Sequence, residues 1–355
     1  MIRDDARDPG ARLRSGFTLI ELMLVVTMLS VVMYLTLDSL RSQQKTSIVT
    51  EQIVEVQNNV RAVSSLLERE IRMAGFMVPE AVAVCGVDRT NASDEIFLSE
   101  NEMIVPDDER AGTLGARISS AASWNAATAV GATVTALALD STTTDLDGDG
   151  SYFYDNDGNG TPEADFRVGG GFILGDLANP ARGTVCGTVG AASSTQITLT
   201  VLAGQLTAHS ATSDAPEEIV IVPAARYAIA DVPTGRLERN GDLLVKDVDD
   251  FQISYFFDDG DGVIENGTAG AEEERGVVTA GGVTTTYDPS DEDNSELAEV
   301  RFSIVLRAAS NDPNFDDGEF RNFENRAAVA GNDNFRRRVL IGAVRPRNVV
   351  IDGSI

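Results

Sequence analysis

The sequence predicts an α+β protein in which one long N-terminal α-helix packs on a globular head built from a mostly antiparallel β-sheet. Residues 17–37 form an apolar run, and residues 38–74 continue without Gly or Pro, with apolar residues spaced three and four apart. That spacing places them on one face of a helix. After Met77 the apolar residues alternate every second position instead, which is typical of β-strands with one buried face. The change of period predicts the boundary between helix and head.

The composition argues against several function classes. The chain of 355 residues carries 28 basic and 56 acidic side chains, a net charge of −28. Proteins that bind phosphate backbones usually carry a basic stripe, so we expect no nucleic acid partner. The single histidine, His209, and the two cysteines argue against a zinc site or a four-cysteine iron–sulfur cluster. The sequence shows no pairing of a nucleophile with a base, so we do not expect an enzyme.

The apolar run FTLIELMLVVTMLSVVMYLTL, residues 17–37, is long enough to cross a membrane. A helix of 21 residues spans about 30 Å, the thickness of the hydrocarbon core of a bilayer. The polar leader before it, residues 1–16, has four Arg, of which Arg12 and Arg14 lie nearest the run. Basic residues at that place hold an N terminus in the cytoplasm. We therefore expect a single pass through the inner membrane and an exported head.

Two other interpretations of this segment fit less well. A secretory signal peptide has a shorter apolar region, about 7–15 residues, followed by a small-residue cleavage site that this sequence lacks. A plain membrane anchor leaves Glu21 unexplained. A carboxylate at the centre of a bilayer costs roughly 2.5–3.5 kcal/mol on insertion scales and usually marks a function with a partner.

The run SGFTLIEL, residues 15–22, resembles the class III signal of type IV pilins and of the pseudopilins of type II secretion. The resemblance implies cleavage by prepilin peptidase between Gly16 and Phe17 and N-methylation of Phe17. It also implies that Glu21 serves filament assembly by pairing with the N-terminal amine of a neighbouring subunit. An ammonium and a carboxylate that meet in an apolar core offset each other's desolvation cost.

Residues 38–75 are expected to continue the same helix as an amphipathic segment. The apolar residues that recur at spacings of four and three are Val49, Ile53, Val56, Val60, Val63 and Leu67. Gly75, in the run LEREIRMAGF, is well placed to end the helix. In pilins, too, a long N-terminal helix lies half in the membrane and half against a globular head, so spacing and resemblance agree.

The head, residues 76–355, is expected to hold about eight or more strands and no second long helix. Asn240-Gly241 lies between two short apolar runs, which is a strong hairpin signal. Apolar residues alternate in DFQISYFF, residues 250–257, and in VRFSIVL, residues 300–306. The other predicted strands are residues 95–99, 103–105, 171–174, 196–202, 218–222, 226–230 and 337–344.

The order of the last strands extends the resemblance. RYAIA, RLERNGDLLVKDVDDFQISYFFDDGDG, EVRFSIVLRA and RRRVLIGAVRPRN follow one another as in W-type minor pilins (PilW-like proteins), whose counterparts in secretion are the J-type pseudopilins. The resemblance covers residues 15–76 and about 218–350. It implies a minor pilin that primes or caps a type IV pilus. The alternatives are a J-type pseudopilin and a calcium-dependent adhesin on a pilin stalk.

The same resemblance implies partners and locations. The partners are other minor and major pilins, prepilin peptidase, the inner-membrane assembly platform and a large tip adhesin. Before assembly the head would lie in the periplasm, and after assembly on the pilus at the cell surface.

Cys85 and Cys186 are expected to form a disulfide. An exported head lies where disulfides persist, and two cysteines allow only one pairing within the chain. The bond would close a loop of about 100 residues, for which the chain-entropy model gives roughly 4–5 kcal/mol of stabilisation. The alternative is two unpaired thiols.

Much of the acidic charge lies in Asp/Gly-rich runs with the spacing of calcium loops. An insert at about residues 140–166 contains two ten-residue units, and a weaker cluster lies at residues 258–265. In each unit oxygen ligands stand at positions 1, 3 and 5 with Gly at 6, but position 12 lacks the bidentate Glu of an EF-hand. The candidate calcium ligands are Asp145, Asp147, Asp149, Asp155, Asp157, Asn159, Asp165, Asp259 and Asp261. The alternative is a solvated acidic loop without an ion.

The calcium hypothesis predicts saturable heat when calcium is titrated into the full chain in detergent, measured by isothermal calorimetry. Replacing Asp147, Asp149, Asp157 and Asn159 by Ala should weaken that binding, because it removes hard oxygen ligands from both units. Replacing the three Glu of residues 272–274, an acidic run without ligand spacing, is the matched control and should leave binding unchanged. No heat at millimolar calcium would end the hypothesis.

Overall fold

The structure is a computed structural model. It describes residues 18–76, 78, 82–89, 92–99, 116–117, 133–138, 153–154, 163–164, 166–176, 184–192, 196–204, 219–230, 235–257, 278–280, 283–285, 297–309, 311, 315 and 334–347. The chain divides into two compact units, Met1–Val54 and Glu55–Ile355. The strand predicted at residues 103–105 lies outside the described residues.

The N-terminal helix, α1, runs from Leu19 to Met73 without a break. It ends at Gly75, whose φ of +79° is a left-handed conformation that glycine adopts without strain. The backbone N–H of Gly75 donates to the Oγ atom of Ser99 at 2.8 Å, so the chain that leaves the helix is held by a strand residue. The helix and the residue that ends it are both as the sequence predicted.

One face of α1 is buried in the second unit. The last four positions of the predicted apolar stripe are all buried, and Ile71 extends the stripe by one more turn. These residues form one core cluster with side chains from many strands of the head. The described part of the chain thus confirms a helix packed on β-structure.

The described residues contain seventeen strands. They are β1 (Val84–Val87), β2 (Glu95–Ser99), β3 (Ala116–Arg117), β4 (Thr133–Ala138), β5 (Phe153–Tyr154), β6 (Glu163–Ala164), β7 (Gly171–Asp176), β8 (Thr184–Ala192), β9 (Gln196–Gly204), β10 (Ile219–Ala230), β11 (Arg236–Arg239), β12 (Asp242–Lys246), β13 (Val248–Phe257), β14 (Val278–Ala280), β15 (Val283–Thr285), β16 (Leu297–Arg307) and β17 (Arg337–Val344).

The strands form two main sheets rather than the single sheet that the sequence predicted. The larger has ten strands, with the order β1-β2-β10-β7-β8-β9-β4; β3 and β11 also pair with β10, and β12 pairs with β11. The smaller has the order β13-β16-β17, and two further hairpins are β5-β6 and β14-β15. Every pairing among the described strands is antiparallel, as expected.

Strand β10 corrects one prediction. The sequence predicted separate strands at residues 218–222 and 226–230, but β10 runs through both. Pro223, which lies between them, pairs with Phe172 of β7 on one side. On the other side β3 pairs with residues 220–221 and β2 with residues 224–227, so Pro223 falls in the gap between the two described partners. Proline has no backbone N–H to donate, and it is tolerated there because no described partner strand lies opposite it on that side to accept a hydrogen bond.

Strands β1 and β8 were not predicted, and they carry the two cysteines. Cys85 and Cys186 form a disulfide between them, and both side chains are fully buried. The expected pairing is therefore confirmed. The sequence of β8, TVCGTVGAA, has a weak strand signal because its Gly and Ala residues lower β-propensity. A bulge between Cys186 and Gly187 interrupts its pairing with β9.

The connection between β1 and β2 is held against β13, which belongs to the smaller sheet. The backbone N–H of Asp94 donates to the carbonyl of Phe251 at 2.8 Å, and the backbone N–H of Ile253 donates to Oδ2 of Asp94 at 2.9 Å. The side-chain amide of Gln252 donates, through Nε2, to the backbone carbonyl of Ala92 at 3.0 Å. The side chain of Asp94 thus takes the place of a backbone acceptor and links the two sheets.

Asp94 is almost completely buried, and its surroundings disfavour its charge. The pKa of its carboxyl is raised to about 8. Burial is the largest cause and the nearby carboxylates of Asp88 and Asp250 add to it, against hydrogen bonds from the N–H groups of Ile253 and Arg89 that lower the pKa. At neutral pH the group is therefore largely protonated, in contrast to an unfolded aspartic acid.

Removing the disulfide should lower the stability of the head. The bond spans 101 residues, and replacing both cysteines by Ala frees the unfolded chain from that loop, at a cost of about 4–5 kcal/mol in the chain-entropy model. Urea unfolding of the full chain in detergent measures the change. Reducing the wild type should give a similar loss, and reductant should not affect the double variant. An unchanged unfolding midpoint in the variant would contradict this expectation.

The contribution of Asp94 to the unfolding free energy should fall as pH rises from about 4 to about 8. Asp94 titrates near 3.8 in the unfolded chain and near 8 in the native one, so between those values only the native state holds the proton. The slope contributed by one proton is at most about 1.4 kcal/mol per pH unit. Urea unfolding at several pH values should show a flatter dependence for Asp94→Asn. The exposed Asp242→Asn is the control, and an equal slope in Asp94→Asn and wild type would refute the assignment.

Candidate assembly site on the N-terminal helix

The first turn of α1 is capped by Thr18. The backbone N–H of Glu21 donates to the Oγ1 atom of Thr18 at 3.3 Å, and the N–H of Leu22 donates to the carbonyl of Thr18 at 3.2 Å. Thr followed three residues later by Glu is the spacing of a capping box. Glu21 also lies in the first turn, where a negative charge interacts favourably with the helix dipole. The sequence thus contains the signal for this cap, and the cap gives Thr18 and Glu21 a role in starting the helix beside the expected role of Glu21 in filament assembly.

The surface of α1 between Leu19 and Leu37 is apolar and uncovered. The large hydrophobic side chains in this range are about half to three-quarters exposed. The most apolar 18 residues of the helix are not buried in the structure. By length and composition this segment can cross a membrane, and it is the one such helix among the described residues.

The Thr and Ser hydroxyl groups in this apolar segment are satisfied within the helix. Thr27 donates to the carbonyls of Met23 and Leu24, and Ser30 donates to the carbonyl of Val26 at 2.7 Å. A hydroxyl without a partner would be costly in lipid, where no water is available. These bonds make Thr and Ser compatible with an apolar environment.

Glu21 differs from the rest of the segment because its charge is not matched there. It is the one charged residue between Thr18 and Leu37, and no ion pair to it occurs within the described part of the chain. A carboxylate in an apolar medium is stabilised by a cationic partner. Such a partner must come from the undescribed N-terminal residues or from another chain.

The C-terminal end of α1 is fastened to the head by a polar cluster. The hydroxyl of Tyr227 in β10 donates to Oε2 of Glu70, and Nε of Arg239 in β11 lies 3.2 Å from Oε1 of Glu70. Tyr227 is fully buried, and burial, followed by the negative charge of Glu70, raises the pKa of its phenol. The backbone N–H of Arg347 also donates to the carbonyl of Arg72 at 3.3 Å. Sequence reasoning missed this cluster.

The structure tests only part of the predicted site. Glu21 lies exposed on α1, and Cys85 and Cys186 are bonded to each other. Gly16, Phe17, His209 and all nine candidate calcium ligands lie outside the described residues, so the cleavage site and the calcium loops stay predictions. Within the described ranges no group of three or more His, Cys, Asp or Glu side chains could hold a metal ion.

Residues 11–33 match the model of the prokaryotic N-terminal methylation motif. The matched range includes Gly16, Phe17 and Glu21. Among the curated proteins compared with it, the chain has no match. A solved type IV-like pilin from Thermus thermophilus aligns with 10% sequence identity over 52% of this chain and 91% of that chain, with a TM-score of 0.23. A TM-score this low supports no inference about a shared fold.

Proposed function

We propose that the chain is a prepilin-type subunit of a membrane-anchored filament. The observation that supports this most directly is the methylation motif at residues 11–33, which leads into a helix with an uncovered apolar surface. In this proposal prepilin peptidase cleaves between Gly16 and Phe17, and Phe17 is then methylated. Removal of the 16-residue leader from 355 residues leaves a mature chain of 339.

The apolar segment of α1 has two successive environments in this proposal. Before assembly it crosses the inner membrane once, with Arg12 and Arg14 on the cytoplasmic side and the head in the periplasm. After assembly the same surface packs against the helices of neighbouring subunits in the filament core. The disulfide between Cys85 and Cys186 supports an exported head, because such bonds persist outside the cytoplasm.

Glu21 is the assembly residue in this proposal. The new N-terminal amine of Phe17 in one subunit pairs with Glu21 of its neighbour, which places opposite charges together in an apolar core. The absence of an ion pair to Glu21 within the described residues leaves its carboxylate available for such a contact. Thr18 caps the first turn of the helix, and it directly follows Phe17, whose amine would be the new N terminus.

Within the filament proteins, we propose a W-type minor pilin that primes or caps a type IV pilus. The order of strands β10–β13, β16 and β17 and the large size of the head favour this class. Its partners would be other minor and major pilins, prepilin peptidase, the inner-membrane assembly platform and a large tip adhesin. Calcium binding by the acidic insert, on the spacing of its aspartates, would make the head a candidate for calcium-dependent adhesion.

The proposal predicts that deletion of the gene removes or reduces surface pili and spares secretion of enzymes. Complementation with the wild type should restore pili, whereas Glu21→Ala should restore membrane insertion but not incorporation into sheared filaments. Electron microscopy, fractionation and immunoblotting of sheared pili measure these outcomes. The control is Glu51→Ala, an exposed glutamate on the same helix beyond the apolar segment.

Three outcomes count against parts of the proposal. Loss of secretion with intact pili would make the chain a pseudopilin of the J type. Normal incorporation of Glu21→Ala would refute the pairing of Glu21 with an amine. An N terminus that still begins at residue 1 in membranes containing prepilin peptidase would refute processing between Gly16 and Phe17.

A further inference from the structure

Strand β17 forms one edge of the three-stranded sheet, and β16 is its only strand partner among the described residues. The N–H of Ala308 donates to the carbonyl of Arg336 at 2.7 Å, which continues the register of Arg307 with Arg337. In an antiparallel ladder every second residue bonds to the partner strand. Residues 338, 340, 342 and 344 therefore bond to β16, and residues 339, 341 and 343 present their N–H and C=O groups to the open edge.

The middle of this edge is apolar and exposed. Val339 is 40% exposed and Ile341 60% exposed, while Leu340, on the other face of the strand, packs against the core cluster. Residues 339–344, VLIGAV, contain neither a charge nor a proline, and no register shift interrupts their pairing with β16. Natural proteins usually block such an edge with charges, prolines or bulges, because it is a template for another strand.

The two ends of the apolar stretch are strongly basic. Residues 336–347 contain five Arg and no acidic residue, in a chain whose net charge is −28. Among the described residues, the side chains of two of the five make internal contacts: Nε of Arg337 lies 2.6 Å from Oδ2 of Asp249, and the guanidinium of Arg336 lies 4.3 Å from the ring of Phe315. The side chains of Arg338, Arg345 and Arg347 are exposed. They flank the open edge with positive charge.

This charge pattern argues against a second β17 strand as the occupant of the edge. An antiparallel pair of β17 strands would set residues 336–338 of one copy beside Arg345 and Arg347 of the other. A parallel pair would set each Arg beside its own equivalent. Like charges placed opposite one another across a sheet are destabilising in either case.

We propose that the open edge of β17 binds an extended segment of a partner polypeptide, which adds as a strand beside residues 339–343 and has an apolar centre with Asp or Glu at both ends. Backbone hydrogen bonds along the edge would supply affinity. The exposed side chains of Val339 and Ile341 would contact the apolar centre of the segment, and the flanking arginines would pair with its acidic ends. This site is separate from the assembly site on α1, and its test does not depend on the filament proposal.

The test uses the full chain in detergent and a labelled nonapeptide, Asp-Asp-Val-Thr-Val-Thr-Val-Asp-Asp, with binding measured by fluorescence anisotropy. A peptide with Lys in place of each Asp is the control. We expect the acidic peptide to bind at least about ten-fold more tightly than the basic one. Its affinity should fall as salt is added, because salt screens exposed charges. No binding of the acidic peptide at millimolar concentration, or equal binding of both, would overturn the proposal.

Two variants locate the binding site. Ile341→Asp and the triple variant Arg338→Glu, Arg345→Glu, Arg347→Glu change exposed side chains, so the fold should be retained, and each should weaken acidic peptide binding at least about ten-fold. Leu243→Asp is the matched control, because Leu243 is a 47% exposed residue on β12, in the other sheet. Undiminished binding to either edge variant would overturn the assignment to β17.

Hydrogen exchange separates strand addition from simple charge attraction. The amide protons of Val339, Ile341 and Ala343 should become protected when the acidic peptide binds, since only a paired strand occupies their outward N–H groups. Protection elsewhere, or none, would overturn the strand-addition model. Sedimentation of the chain alone tests the other occupant. Self-association that Ile341→Asp abolishes, without a preference of the chain for the acidic peptide, would assign the edge to a second copy instead.

Discussion

The burial of one face of α1 is the contact on which the rest of the head depends. Val56, Val60, Val63, Leu67 and Ile71 lie in one core cluster with side chains from both main sheets. Each such side chain contributes about 1.5–3 kcal/mol when fully buried. The smaller sheet has three strands in the described part of the chain, and this shared core covers its apolar face with side chains of the helix and of the larger sheet.

Polar groups then determine how the elements meet within that core. Glu70 receives hydrogen bonds from a buried tyrosine and an arginine on neighbouring strands, so its side chain selects one orientation of the helix end. Asp94 likewise fixes how the two sheets meet. Its buried carboxyl accepts hydrogen bonds from the backbone N–H groups of Arg89 and Ile253. Burying such groups is costly unless they are hydrogen-bonded, so these contacts favour specificity more than stability.

The parts of the structure that follow from local periodicity were predictable, and the parts that depend on distant contacts were not. The helix face from Val56 to Leu67 and the hairpin at Asn240-Gly241 each have a short-range signal in the sequence. The division of strands into two sheets has none. The sequence predicted two strands where β10 is continuous, because the gap between partner strands in which Pro223 lies is a tertiary feature. Tyr227 and Glu70 lie 157 residues apart. Of the candidate assembly site, Glu21 is predictable from its charge in an apolar run, whereas the cap by Thr18 depends on where the helix begins.

The position of α1 at the beginning of the chain has a consequence for biosynthesis. Its buried stripe is translated first, but two of the strands that cover it, β16 and β17, lie at residues 297–344 and emerge almost last. Until they are synthesised the stripe lacks part of its intramolecular cover, and apolar surface in this state favours aggregation. Termination before residue 337 removes β17, whose Leu340 and Val344 pack in the same core cluster, so a chain truncated there leaves part of that core uncovered.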